Sequence, residues 1–338
     1  MPPLTFLAQS SFQNCHPERS GSRSLRTTQS KDLLLLLLVL LLARININAQ
    51  PTAAPHFSGQ AAYTLTKQLL DVAPKRFNGS PGHAKAEDFF KQHFAPEAAK
   101  GNFIIDTFTA TTPAGLQTMT NYIVKYPGKK DGIIVLASHY ETNYYLRDIN
   151  FYGANDGAAT SALLIEIGNI LRAHPPEGYS VWLVFDDGEE SVSGKWSSAD
   201  SLYGTRHLAA KWSQDGTLAK IKALLVADMI ADKDLNIDYV ENSTPWLLDL
   251  LKVAAKNTGH SANIFKYREA EEDDHLPFAQ RGVPVLDVID AHYGPTTDAM
   301  PDGFHHTDKD TLDKISAHSL QISGDIFLEM IRLINQRP

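Results

Sequence analysis

Five places in this chain concentrate residues that can bind a metal ion or move protons. They are Ser138-His139-Tyr140-Glu141, Gly153-Ala154-Asn155-Asp156-Gly157, Asp186-Asp187-Gly188-Glu189-Glu190, the single Asp228, and Phe304-His305-His306-Thr307-Asp308. Imidazole and carboxylate groups are ligands for Zn²⁺ and similar ions. One imidazole with two carboxylates leaves a coordination position open for substrate or water. Taken singly, each place has a plain explanation. A histidine at a strand end usually makes a structural hydrogen bond, Asp156 ahead of a helix could be only an N-cap, and Glu189-Glu190 could be a solvated turn. Together they argue for a metal, because two acids directly after a buried strand are costly unless something positive lies between them.

The elements that must position these residues follow from the apolar patterning. Gly132–Ser138, Ser180–Phe185, Ile221–Ala227 and Val283–Val288 are short apolar runs, expected as strands, with two further strands at Phe103–Thr109 and Asn121–Tyr126. Helical spacing covers Ala61–Val72, the stretch from the Asn78–Gly82 turn to Phe94, Ala158–Arg172, Leu202–Trp212, Trp246–Ala255 and Ile315–Ile334. Apolar strands alternating with helices predict an α/β fold, a mostly parallel central sheet flanked by helices on both faces. The reactive stretches then fall at strand carboxyl ends or in loops beside them, where open α/β sheets bind ligands.

The chain has 338 residues, 43% hydrophobic and 21% charged, which suits one large α/β domain and excludes a disordered, collagenous or coiled-coil chain. A formal net charge of -8 disfavours nucleic acid as a partner. The single cysteine, Cys15, rules out an intrachain disulfide and a thiolate metal site. Residues 1–30 read as a non-native or disordered extension. Residues 31–49 read as a signal peptide built on the apolar run Leu33–Leu42, too short to cross a bilayer as a helix; a short membrane anchor is the other reading. Residues 50–57 are expected to be a linker and 58–338 a single catalytic domain. The expected product is secreted or periplasmic, with no stable membrane anchor after cleavage, and monomeric.

Taken in order, these residues resemble the co-catalytic zinc exopeptidase superfamily (metallopeptidase family 28), and within it the glutaminyl cyclases, or glutaminyl-peptide cyclotransferases. The likeness runs from Lys75-Arg76-Phe77-Asn78-Gly79-Ser80-Pro81-Gly82 to the last helix. Asp200–Lys211, and Asp273 ahead of Asp274-His275-Leu276-Pro277-Phe278, are closer to cyclases than to aminopeptidases. The resemblance implies a zinc-exopeptidase-like (phosphorylase/hydrolase-like) fold and one Zn²⁺ held by Asp156, Glu190 and His306. It makes Glu189 the proton-shuttling acid/base, Asp228 and Asp273 supporting carboxylates, and Trp196, Phe304 and His305 substrate-binding residues. The implied reaction converts the N-terminal Gln of a peptide or protein to pyroglutamate and releases ammonia. An alternative stays open, because His139 and Asp228, with Asp156 bridging, would complete the two-zinc set of an aminopeptidase. A non-catalytic scaffold on the same fold would have lost Glu189 or a ligand, and none is lost. The chain departs from familiar animal cyclases at His305 (Trp there), Asp287 (His) and Gly157 (Ser), and has Ser138 and Ser161 near the places of a cysteine pair.

Overall fold

The structure, a computed structural model, describes residues 56–298 and 300–337. The expected extension (1–30), signal peptide (31–49) and linker (50–57), save His56 and Phe57, lie outside the described residues. Among the described residues there are eight strands: β1 (Phe103–Thr112), β2 (Gly115–Tyr126), β3 (Lys130–His139), β4 (Tyr179–Asp186), β5 (Ile221–Asp228), β6 (Ile237–Val240), β7 (Ile264–Glu269) and β8 (Val285–Ile289). Six of them form one sheet in the order β1-β2-β4-β3-β5-β8, while β6 and β7 pair separately. Only β2 runs against the others; β4, β3, β5 and β8 are mutually parallel. The sheet is thus mixed α/β as expected, with a β1–β2 hairpin extending it on one side. The hairpin reaches beyond the expected strand ends because backbone pairing continues to Thr112 and Gly115 through residues with little apolar signal.

The parallel strands are covered on both faces, so neither face can be polar. Along β3, Ile134 and Leu136 face one core with β4 residues Leu183 and Phe185. This core also holds helices α1 (Gly59–Val72), α2 (Pro81–His93), α3 (Thr160–Ala173), α5 (Pro245–Thr258) and α6 (Ala317–Gln336). Ile133, Val135 and Ala137 face the opposite core, closed by Leu208, Ala209 and Trp212 of α4 (Tyr203–Gln214). Each fully buried Ile or Leu contributes about 1.5–3 kcal/mol. Helix starts are set by side-chain caps: Ser58 accepts from Ala61 N at 3.1 Å, Ser80 from His83 N at 2.9 Å, and Ser316 from Ser319 N at 3.0 Å. Among the described residues no helix is long and apolar enough to cross a membrane.

Parallel strands bring their carboxyl ends to one edge. Pairing sets His139 at the end of β3 opposite Asp186 at the end of β4, and Asp228 at the end of β5 opposite Ile289 on β8. The chain leaving β3 at this edge is held by Arg76, which is fully buried. Its guanidinium donates to the carbonyls of Tyr140 (2.8 Å), Tyr152 (2.9 Å), Gly153 (3.0 Å) and Ala73 (3.3 Å). Burial lowers its pKa to about 10, and Asp156, Asp310 and Glu141 oppose that fall. Removing this cation strands several buried carbonyls at once. Arg76→Met should therefore lower the unfolding free energy by about 3–5 kcal/mol, read from urea denaturation. A loss under about 1 kcal/mol would show that the loop holds itself without Arg76.

Candidate active site

The site is built around Asp156. Gly153 (φ 55°) and Gly157 (φ 86°) both take left-handed backbone, turning the chain so that Asp156 is buried at the sheet edge. Gly157 is needed twice over, because a Cβ there would lie 3.0 Å from both the His139 ring and the Glu141 carbonyl. This accounts for the residue found where the resembled family has Ser.

Asp156 lies between two imidazoles. Its Oδ1 is 3.0 Å from His139 Nε2, and its Oδ2 is 3.5 Å from His306 Nε2. His139 Nε2 is also 3.4 Å from Asp228 Oδ1, and His306 Nε2 is 2.8 Å from Glu190 Oε1. Asp156 Oδ2 and Asp228 Oδ1 are buried and accept no hydrogen bond. Against burial, the neighbouring acids drive both imidazoles toward protonation; Glu190 and Asp156 lift His306 to about 9, and His139 rises well above its usual range. Burial would raise Asp156, yet the two imidazoles hold its carboxyl well below the usual range. The cluster therefore calls for positive charge at its centre. Orphaned carboxylate oxygens faced by imidazole nitrogens are a donor set that fits Zn²⁺.

Surrounding groups fix these side chains. Asp310, fully buried, accepts from Asn155 N (2.9 Å), Asp156 N (3.2 Å) and the Tyr293 hydroxyl (2.7 Å). Glu141 accepts from Glu190 N at 3.1 Å, and its other oxygen is 3.7 Å from His139 Nδ1. The Tyr145 hydroxyl lies 2.9 Å from His306 Nδ1. His306 itself has a left-handed φ of 55°, a strained conformation costing about 1–3 kcal/mol that persists where the surroundings over-determine it. Ser138 and Ser161 both donate to the His139 carbonyl, at 3.0 and 3.3 Å. Asp200, from the cyclase-like stretch, accepts from Val192 N and Ser193 N (both 3.0 Å) and from the Tyr203 hydroxyl (2.8 Å), which fixes the loop leaving Glu190.

A cleft of about 380 Å³ opens above this cluster. It is lined by Asp156, Glu189, Glu190, Trp196, Asp228, Asp273, His305 and His306, so most of the expected site residues share one cavity. Glu189 is held well above the usual carboxylate range by burial and by Glu190 beside it. Burial and Asp228 push Asp273 up to about 7. Asp287, from β8, is buried near Asp273, its own carboxyl raised by burial and by that neighbour. The His305 ring packs on His306 with centroids 3.7 Å apart. Phe304 does not line the cleft. Its ring packs edge-on against Tyr293 at 5.4 Å, so the structure gives it a packing contact where a substrate contact was expected. His139 lies behind Asp156, outside the lining. Sequence reasoning did not single out Arg76, Asp310, Glu271 or Glu272 as site residues. Asp310 carries no signal separating it from the solvated acids beside it, whereas Glu141, two residues past His139, was legible by position.

The sequence profile of peptidase family M28 matches residues 121–331. The crystal structure of an Acidobacteriales bacterium glutaminyl cyclase is 74% identical, covering 86% of this chain and 99% of that one, with a TM-score of 0.84. The glutaminyl-peptide cyclotransferase of Bos taurus is 29% identical over 282 residues, 73% of this chain and 77% of the bovine protein. A Zn-dependent exopeptidase from Parabacteroides distasonis, 19% identical, covers 84% of this chain and all of its own with a TM-score of 0.72, and so shares the fold.

Asp310 orients two backbone N–H groups of the Asp156 loop, and an amide cannot accept in the same pattern. Asp310→Asn should weaken zinc affinity about 10- to 100-fold, measured by competition with a chromophoric chelator. Affinity equal to wild type would mean that the loop is set by its glycines alone.

Proposed function

We propose a reaction from one premise: the chain belongs to peptidase family M28. It is an acyltransferase of the glutaminyl cyclase kind, closing the N-terminal Gln of a peptide into pyroglutamate with release of ammonia. The observation that carries this reading is the sharing of one cleft by Glu189, Asp273 and the Asp156–Glu190–His306 cluster. Asp273 is the extra acid that sets cyclases apart from peptidases in the resemblance drawn above.

The α-amine attacks the side-chain amide carbon, forming one C–N bond as the bond to the departing nitrogen breaks. Asp156, Glu190 and His306 would hold Zn²⁺, which when bound supplies Lewis-acid polarisation of the amide carbonyl. Glu189 as carboxylate takes a proton from the amine and returns it to the leaving nitrogen, so one group serves both steps. Its burial and its acidic neighbours raise its basicity toward the working pH, and such a base contributes about 10²–10⁴-fold. Asp273 and Asp228 present carboxyl oxygens to accept hydrogen bonds from the amine and the departing ammonia. Because the nucleophile belongs to the substrate, no water need be bound and activated. Export guided by residues 31–49, and action as a monomer, belong to the same reading.

One observation favours the aminopeptidase reading: His139, Asp156 and Asp228 converge closely enough to hold an ion. The two readings divide on a paired assay, a Gln-peptide followed by ammonia release against a leucyl anilide followed by amine release, with the zinc-to-protein ratio measured on the same sample. Ammonia release with little anilide cleavage is expected. Glu189→Gln should lower kcat by at least about 100-fold while zinc content stays near wild type; loss of zinc in that variant would make Glu189 a ligand and break the scheme. Asp273→Asn should cut cyclisation while the unfolding midpoint moves little, and an unchanged rate would remove the argument against the peptidase.

A further inference from the structure

Two acids on the cleft wall have no task in the reaction just described. Glu271 and Glu272, which follow β7, line the same cavity as Glu189 and His306. Burial orders this cavity from floor to mouth. Asp156, Glu189, Glu190 and Asp273 are buried, Glu271 is half-buried, and Glu272 and Trp196 are exposed, Trp196 by 37%. A peptide whose first residue reaches the floor leaves its second at this mouth.

The chemistry of the mouth is specific. Trp196 Nε1–H donates to a Glu272 carboxylate oxygen at 2.9 Å, fixing an aromatic face beside a negative charge. No Lys or Arg is among the residues lining the cleft. Glu271 is pushed up to about 7 by burial and then by Glu269, Asp238 and Asp228, so acidic groups are crowded here with no Lys or Arg in the lining to relieve them. A long cationic side chain offers both counterparts, an alkyl stem for the ring and a charge for the carboxylates. An acidic side chain would meet repulsion. We infer that Glu271 and Glu272, with the Trp196 ring, select peptides whose second residue is Lys or Arg. The inference rests on the cyclase reading and names its substrate class.

The test compares four peptides of equal length, beginning Gln-Lys, Gln-Arg, Gln-Ala and Gln-Glu. Ammonia release is followed with the zinc-loaded wild-type chain and with the Glu271→Gln/Glu272→Gln variant. At low salt, kcat/KM for the Lys and Arg peptides should exceed that for the Glu peptide about tenfold, mainly through KM. The ratio should shrink in about 0.5 M salt, where exposed charges are screened, and fall to about twofold in the variant. Equal kcat/KM for the Lys and Glu peptides, with both turned over, overturns the inference, as does a preference that survives the double substitution. Turnover of none of the four peptides would bring down the cyclase reading itself, and this inference with it.

Discussion

Seven carboxyl groups, those of Asp156, Glu189, Glu190, Asp228, Glu271, Glu272 and Asp273, line one cleft that contains no Lys or Arg. Gathering so much like charge at low dielectric is the constraint on which the rest of the structure turns. Burial and mutual repulsion cannot be satisfied by leaving every acid ionised, so the groups divide. Asp156 stays ionised because two imidazoles face it, while Glu189, Asp273 and Asp287 are driven toward the neutral form. Such a division is what a proton-transfer site needs, with fixed anions to hold a cation and basic carboxyls to accept and return protons.

The fold supplies this concentration cheaply. In a parallel sheet every strand ends at the same edge, so His139, Asp186 and Asp228 reach it from strands separated in sequence. The connecting loops then contribute Asp156, Glu189, Glu190 and His306. What keeps the loops in place is a set of internal partners, with Arg76 on backbone carbonyls, Asp310 on two N–H groups and Glu141 on the Glu190 N–H. The acids at the edge are thus anchored from behind, which frees their outward oxygens for chemistry.

Much of this was legible in the sequence, for a physical reason. Strands buried on both faces, such as Ile133–Ala137, must be continuously apolar, and reactive residues directly after such runs can only lie at the sheet edge. The β1–β2 hairpin was underestimated because Ala110–Thr120 has only Leu116 and Met119 as large apolar residues, too few to mark a strand without the pairing across the hairpin. The short strands Ile237–Val240 and Ile264–Glu269 escaped because neither run is long or apolar enough to announce itself. The direction of the Phe304 ring was not legible, because adjacency to His305 and His306 says nothing of the way a ring turns; here it packs on Tyr293. Arg76 and Asp310 were invisible as functional residues because their value lies in which backbone groups they meet, which no local pattern encodes.

The serines beside His139 have a practical consequence. Ser138 and Ser161 hold the carbonyl at the end of β3 with hydroxyl hydrogen bonds. From residue 56 onward the chain contains no cysteine. Its architecture needs no oxidant to mature and offers no thiol for peroxide or alkylating reagents to attack. The same fold should therefore be reached in a reducing cytosol as in an oxidising compartment, and a reductant that does not chelate metal, such as a phosphine, has no covalent cross-link to unpick.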